Sequence, residues 1–310
     1  MKFTLVDYSG LSDQVGMIAL ARLARDDTLH VIDLPYRLSS WALDEPANVG
    51  LWVDGAGSLA AWAVMQTPFW CIDYVLRPGL ENSLHPQVLD WASRRADELT
   101  GSLYGHETWY VNIFADQAEC KTRLERHGFA NQAGKGKDAW SKVWMEWSAN
   151  VEIPQYPLPA GFTIRPLAGE AEVDAYVDLH QAVFQTRNMT TEWRRRTLHQ
   201  PDYLPDLDPV VVSPDGRLGA VCIGWLCPGA DGVPIGQIEP LGCHADFRRY
   251  ALGRIALCAT LAKIQALGVK SIYVETDSYR NTATRLYEAL GFRVKREVQV
   301  YARGYNDAIC

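Results

Sequence analysis

A chain of 310 residues with a formal net charge of -7, 48% hydrophobic and 22% charged residues, is long enough for two globular domains and too apolar to be disordered or fibrous. The acidic balance argues against a general nucleic-acid binder and favours cationic substrates. Seven cysteines without a Cys-x-x-Cys pair suggest neither a disulfide framework nor a zinc cluster. No stretch of spanning length lacks charges and no signal-like segment opens the chain, so a cytoplasmic protein without membrane contact or a bound metal is expected.

In chain order, residues 2–7 read as a strand and 13–23 as a helix with Ser12 or Asp13 as N-cap. Gly55 and Gly57, set between two runs of strand formers, predict a hairpin over 49–65. A third strand follows at 69–76. Val88, Trp91, Ala92, Ala96 and Leu99 describe one apolar helix face. Residues 109–114 predict a strand, 118–127 a helix and 139–147 a closing strand. Nine of the eleven tryptophans lie in this half, mostly inside predicted strands or a helix, which fits packing better than a ligand wall.

Pro154, Pro157 and Pro159 mark an extended, semi-rigid linker, placing a boundary near residue 150 and dividing the chain into 1–150 and 151–310. A strand at 162–167 restarts the pattern, and Val173, Tyr176, Val177, Val183 and Phe184 give the next helix its apolar face. Residues 190–198 predict a short helix carrying Arg194, Arg195 and Arg196, either a phosphate-binding group or a solvated face. Residues 210–226 form a hairpin around Asp215-Gly216, leading to a strand over 237–243. Ile255, Cys258, Leu261, Ala262 and Ile264 then recur at helical spacing.

The switch of period between Cys243 and Ala251 holds Arg248, Arg249, Gly253 and Arg254. Cations and open backbone N–H groups therefore converge at a helix N-terminus, a site for an anion such as a polyphosphate. Neither the NTPase phosphate loop nor the dinucleotide fingerprint is present. A strand at 269–275 precedes a helix over 281–290, closed by Gly291.

The two halves repeat one order of elements, which points to a duplicated fold. Asp54-Gly55 answers Asp215-Gly216, and Leu124 to Phe129 answers Tyr287 to Phe292. The copies differ where chemistry would lie. Pro78-Gly79-Leu80-Glu81 stands in place of the arginine-rich turn, and Leu124 in place of Tyr287. A carboxylate repels a pyrophosphate and a leucine donates no proton, so the first copy is expected to lack the chemistry of the second.

Arg248-Arg249-Tyr250-Ala251-Leu252-Gly253 resembles the acyl-CoA loop of the GNAT N-acetyltransferase superfamily, with Ala251 where the family usually has its first glycine. Asn281, Ala283, Tyr287, Gly291 and Phe292 resemble that superfamily's second signature. The resemblance implies an α/β mixed sheet in two tandem GNAT folds, a degenerate first copy and a catalytic second one. It implies acetyl-CoA as co-substrate, with Leu241, Gly242 and Cys243 along the pantetheine arm, Arg248 to Arg254 on the phosphates, and Asn281 as a further cofactor contact. Glu239 is the expected base, directly or through water, Tyr287 the expected general acid, and the Leu241 N–H the oxyanion donor. Glu239 needs its ordinary pKa of about 4.3 raised, whereas a phenol at about 10 is nearly matched to a thiolate. His244 is expected to lie in the phosphate turn, past the thioester. The acceptor is then a primary amine of a small molecule or peptide, with a protein N-terminus or a thiol precursor also open. A non-catalytic acyl-CoA sensor is the alternative, and a monomer or a homodimer is equally compatible.

Overall fold

The computed structural model describes residues 2–135 and 141–305. The first half runs β1 (Thr4–Val6), α1 (Leu11–Leu23), α2 (Leu34–Leu38), β2 (Val49–Val53), β3 (Leu59–Gln66), β4 (Cys71–Leu76), α3 (Glu81–Leu99), β5 (Thr108–Phe114), α4 (Ala118–Arg126), a two-residue β6 (Ala130–Asn131) and β7 (Ser141–Ser148). The second half continues with β8 (Thr163–Pro166), α5 (Val173–Phe184), α6 (Thr191–Leu198), β9 (Pro209–Val212), β10 (Leu218–Pro228), β11 (Pro234–Cys243), α7 (Leu252–Ala266), β12 (Ser271–Asp277), α8 (Asn281–Ala289) and β13 (Arg293–Gly304). Among the described residues every strand belongs to one mixed sheet, ordered β1-β2-β3-β4-β5-β13-β7-β12-β11-β10-β9-β8, with β6 beside β13.

The centre of that order contains an exchange. β7, from the first half, pairs antiparallel with β12 from Ser148↔Ser271 to Lys142↔Asp277. β13, from the second half, pairs with β5 from Val298↔Phe114 to Gly304↔Thr108, and the two exchanged strands pair with each other. Packing follows the exchange. Met145 and Trp147 of β7 sit in the core under α7, whereas Tyr301 of β13 sits in the core under α3. Because each half lends its last strand to the other, no unpaired edge remains at the junction.

A further core crosses the junction, joining Met17, Tyr36 and Trp62 of the first half to Tyr176, Trp193 and Trp225 of the second. The indole N–H groups there are satisfied by backbone carbonyls: Trp62 donates to Met17 at 2.9 Å and Trp193 to Tyr36 at 3.0 Å. Trp41, Trp147 and Trp225 likewise donate to backbone carbonyls, so these five act as large apolar bodies whose one polar atom is satisfied by the fold. Trp140, with the predicted start of β7, lies outside the described residues.

Two local expectations need correction. α1 begins at Leu11 with Gly10 in the cap position, and Asp13 acts from inside the first turn by accepting the Ser9 N–H at 2.6 Å. Arg194 is neither a phosphate ligand nor part of a solvated face. It is fully buried, ion-paired to Asp208 and stacked 3.8 Å over the Tyr176 ring. Arg195 and Arg196 do face outward, towards Glu170 and towards Asp44 and Glu192. Residues 151–161 form no helix or strand, and Val151, Ile153, Tyr156 and Leu158 lie against the core of the second half.

Candidate active site

β11 and β12 run parallel and are paired only at Gly236↔Ile272 and Gln237↔Tyr273. Beyond Gln237 they diverge, and β12 stays in the sheet by pairing with β7. A wedge-shaped gap therefore opens between the C-terminal ends of two parallel strands, where open α/β sheets place their ligands.

The divergence coincides with a bulge. Opposite β10, Ile238 faces Gly224 and Leu241 faces Cys222, so Glu239 and Pro240 share the place of one residue. Pro240 has no N–H to contribute to the ladder, and the Glu239 carbonyl is taken instead by Trp225 Nε1 at 2.7 Å. The bulge therefore sets Glu239 at the point where the two parallel strands part. Burial, then the Asp33 and Glu275 carboxylates, push its pKa up to about 8.

Leu241, Gly242 and Cys243 continue β11 along the gap. Gly242 is required by packing, since a Cβ there would stand 2.7 Å from Val183 Cγ1. At His244 the chain enters a tight turn over 245–250, whose Phe247 is buried and whose Arg248, Arg249 and Tyr250 are exposed. His244 lies in that turn, with Nδ1 accepting the Asp246 N–H at 3.2 Å. Among the described residues, neither Arg248 nor Arg249 has an ion pair within the protein. Both arginines can therefore serve an external anion.

Ala251 adopts the left-handed conformation at φ 55° and occupies the N-cap position of α7 without a capping side chain. Its Cβ does not prevent the turn, which carries a strain of roughly 1–2 kcal/mol in place of the glycine. No side chain caps this first turn; the Gly253 N–H contacts the Cys243 sulfur, and the other N–H groups of the turn have no partner within the helix. Gly253 is informative here, because a Cβ would meet nothing nearer than Cys243 Cβ at 3.5 Å. Intramolecular packing does not require glycine at 253; close approach of a ligand to the helix start would. Leu252 is buried beneath the turn, and the Arg254 guanidinium lies 5.2 Å from the Tyr156 ring.

Tyr287 reaches the gap from α8. The helix closes with the Gly291 and Phe292 N–H groups donating to Glu288 and Tyr287 carbonyls at 3.0 Å, Gly291 at φ 95°, and Trp147 Nε1 taking the Leu290 carbonyl at 3.1 Å. This closure presses Tyr287 edgewise on Phe292, 5.4 Å between centroids, and leaves it 6% exposed. Burial, then the Glu239 carboxylate and the Cys222 thiol, raise the phenol far above 10, so it is fully protonated at neutral pH. The near match to a thiolate expected from sequence is therefore not met. Asn281 opens α8, and its side chain lies outside the described residues.

The far wall comes from residues that sequence reasoning missed. His30 sits 3.3 Å from Asp33 and 3.7 Å from Glu275. Arg37 holds Asp73 through two hydrogen bonds of 2.8 Å, and Lys142 holds Glu275 at 2.5 Å. Burial opposes ionisation of Glu275, but Lys142, His30 and Arg37 outweigh it and hold its pKa at about 2. The ionised Glu275 of β12 and Asp33 of the first half both lie near enough to Glu239 to act on its charge. Residues 25–48 carry no periodicity, and only the end of the alternating strand at Glu275 gave a signal.

The second half is similar to known proteins. Residues 173–292 match the family described as acetyltransferase (GNAT) family. The mycothiol acetyltransferase of Thermobispora bispora is 28% identical over 52% of this chain and 56% of its own length, and that of Kineococcus radiotolerans is 34% identical over 47% and 48%. The chain spans about half the length of these curated relatives. Two solved structures share the fold over nearly the whole chain. A tandem GNAT protein from the clavulanic acid biosynthesis pathway matches with TM-score 0.64 and 12% identity, covering 99% of this chain and 100% of that one. A GCN5-related N-acetyltransferase from Sphaerobacter thermophilus matches with TM-score 0.61 and 18% identity, covering 99% and 97%.

Proposed function

We propose that this chain, a tandem GNAT protein whose second half carries the family's acetyltransferase domain, transfers an acetyl group from acetyl-CoA to a primary amine, with the chemistry confined to 151–310 and residues 1–150 acting as the non-catalytic copy. The observation that carries this reading is the convergence on one gap of an uncapped helix start with two unpaired arginines, a carboxyl near pKa 8 and a buried phenol.

In this reading the pyrophosphate lies on the first turn of α7 beside Arg248, Arg249 and Arg254, and the pantetheine arm runs along Leu241 to Cys243. Glu239, once ionised, takes a proton from the acceptor's ammonium, directly or through water. The neutral amine attacks the thioester carbonyl carbon, and the Leu241 N–H holds the developing oxyanion. Collapse breaks the carbon–sulfur bond, Tyr287 gives its proton to the departing thiolate, and the proton shed by the now cationic attacking nitrogen restores the phenol, leaving the neutral amide. Transfer to a thiolate like cysteine's, at about 8.5, is uphill for so weak an acid; the same burial raises the basicity of a thiolate expelled into that gap and narrows the difference. Asp33 and Glu275 each keep a carboxylate oxygen without a hydrogen-bond partner that can accept from the acceptor's ammonium, so the first half forms one wall of the acceptor cleft.

The test is Tyr287→Phe, which removes the proton donor and keeps the ring. Turnover should fall by about 100-fold or more while affinity for acetyl-CoA stays within a factor of two or so. Unchanged turnover would remove Tyr287 from the mechanism.

A further inference from the structure

The first half keeps a cleft of its own. β4 and β5 are parallel and paired only at Cys71↔Tyr110, so they diverge as β11 and β12 do. Between them opens a cavity of about 490 Å³, within the size range of small-molecule sites. Its floor is apolar, with Trp62, Ile72, Val111 and Ile113.

The position that a pyrophosphate would need is already filled by the chain itself. The Gly79 N–H at the start of α3 donates to the Glu81 carboxylate at 2.8 Å, and the one cation of that turn, Arg77, is tied to Asp54 at 2.7 Å. An anionic ligand would meet a carboxylate there and no unpaired cation.

The rim has the opposite preference. Asp116 is neutralised by Arg296 and Glu119 by Arg123, while Asp73 below is held by Arg37. Asp27 and Glu81 also line the cavity, and among the described residues no cation pairs with either. A second observation is independent of the rim. His85 lines the same cavity at 2% exposure; its Nε2 contacts the Tyr74 hydroxyl at 2.9 Å, and its Nδ1 is buried without a hydrogen-bond partner. The imidazole and the Tyr74 hydroxyl thus add polar groups to the cavity wall beside its apolar floor.

We propose that the cleft of the first half is a second small-molecule site, closed to acyl-CoA and shaped for a ligand with one protonated amine on an apolar body. The amine lies at Asp27 and Glu81, and the apolar body fills the space over Trp62 and Ile113. The cavity opens between β4 and β5 and not between β11 and β12; it shares His30 and Asp73 with the wall near Glu275, and binding there does not depend on acetyl transfer.

Binding to the full chain without acetyl-CoA tests this, using phenethylamine as probe against the neutral 2-phenylethanol and the anionic 3-phenylpropionate. Calorimetry should give one phenethylamine per chain, bound at least roughly fivefold tighter than the alcohol, from one charge contact in a water-exposed rim. The carboxylate should not bind. Asp27→Asn, at an exposed position, should lose about that factor for the amine and nothing for the alcohol. Phenethylamine should also slow maleimide labelling of Cys120, which lines the cavity. Equal binding of the three probes, no binding at all, unaltered labelling of Cys120, or displacement of the amine by coenzyme A would each overturn the proposal.

Discussion

Replacing Glu239 by glutamine separates its ionisation from its shape. Folding raises the carboxyl from 4.5 to about 8, so the folded state holds a proton that the unfolded chain has released over that window. A group with a raised folded pKa gives its full stabilisation below the unfolded value and loses it as pH rises through the folded one. Three and a half units at about 1.36 kcal/mol each set a ceiling of roughly 5 kcal/mol lost by the wild type between pH 4.5 and 8. The Glu239→Gln variant cannot ionise and is spared that loss. Its unfolding free energy relative to wild type, from urea titrations at both ends of the window, should therefore grow by several kcal/mol with rising pH. Turnover runs the other way. Only the ionised carboxylate accepts a proton, so amine acetylation by the wild type should climb with pH and level off above about 8, and the variant should lack this limb. A stability difference that does not change with pH would refute the account of Glu239 as a carboxyl held neutral by burial and by Asp33 and Glu275.

Gly253→Ala should weaken acetyl-CoA binding by about tenfold or more while stabilising the fold by up to about 1 kcal/mol, since α7 gains a better helix former and packing leaves room for the methyl; calorimetry and urea unfolding read the two effects, and unaltered affinity would contradict the ligand's approach to that position. Arg194→Ala leaves Asp208 buried without its partner and should cost roughly 3–5 kcal/mol, against less than about 0.5 for Arg195→Ala on the surface. A fragment of residues 151–310 lacks β7, the strand between β12 and β13, and should show no cooperative thermal transition; a cooperative melt with acetyl-CoA binding would show the exchanged strand to be dispensable.

The repeated order of elements and the arginine-rich turn were legible because both rest on local signals. Period changes, glycine turns and the arginine cluster are written within a few residues of one another, and β2 to β5 and β9 to β12 follow from them. The exchange of β7 and β13 was not legible, since alternation fixes which face of a strand is buried but not which neighbour it joins. Arg194 misled for a related reason. Three consecutive arginines read alike in sequence, while helix geometry turns one of them inward, where Asp208 neutralises it. His30, Asp33 and Arg37 were missed because they lie in short irregular turns around α2, and only tertiary folding brings them to Glu275 and Glu239. The bulge at Glu239 left one trace, the proline that follows it.

The acetyl transfer itself is tested most directly by following release of the CoA thiol from acetyl-CoA across a panel of polyamines, amino acids, aminoglycosides and peptides with free N-termini. The expected result is release that depends on a cationic primary amine, with the acetylated amine identified by mass, and that is lost in Glu239→Gln above the background of hydrolysis. If acetyl-CoA binds at the second half but no amine raises thiol release above hydrolysis, the gap is an acyl-CoA sensor and the catalytic reading is wrong.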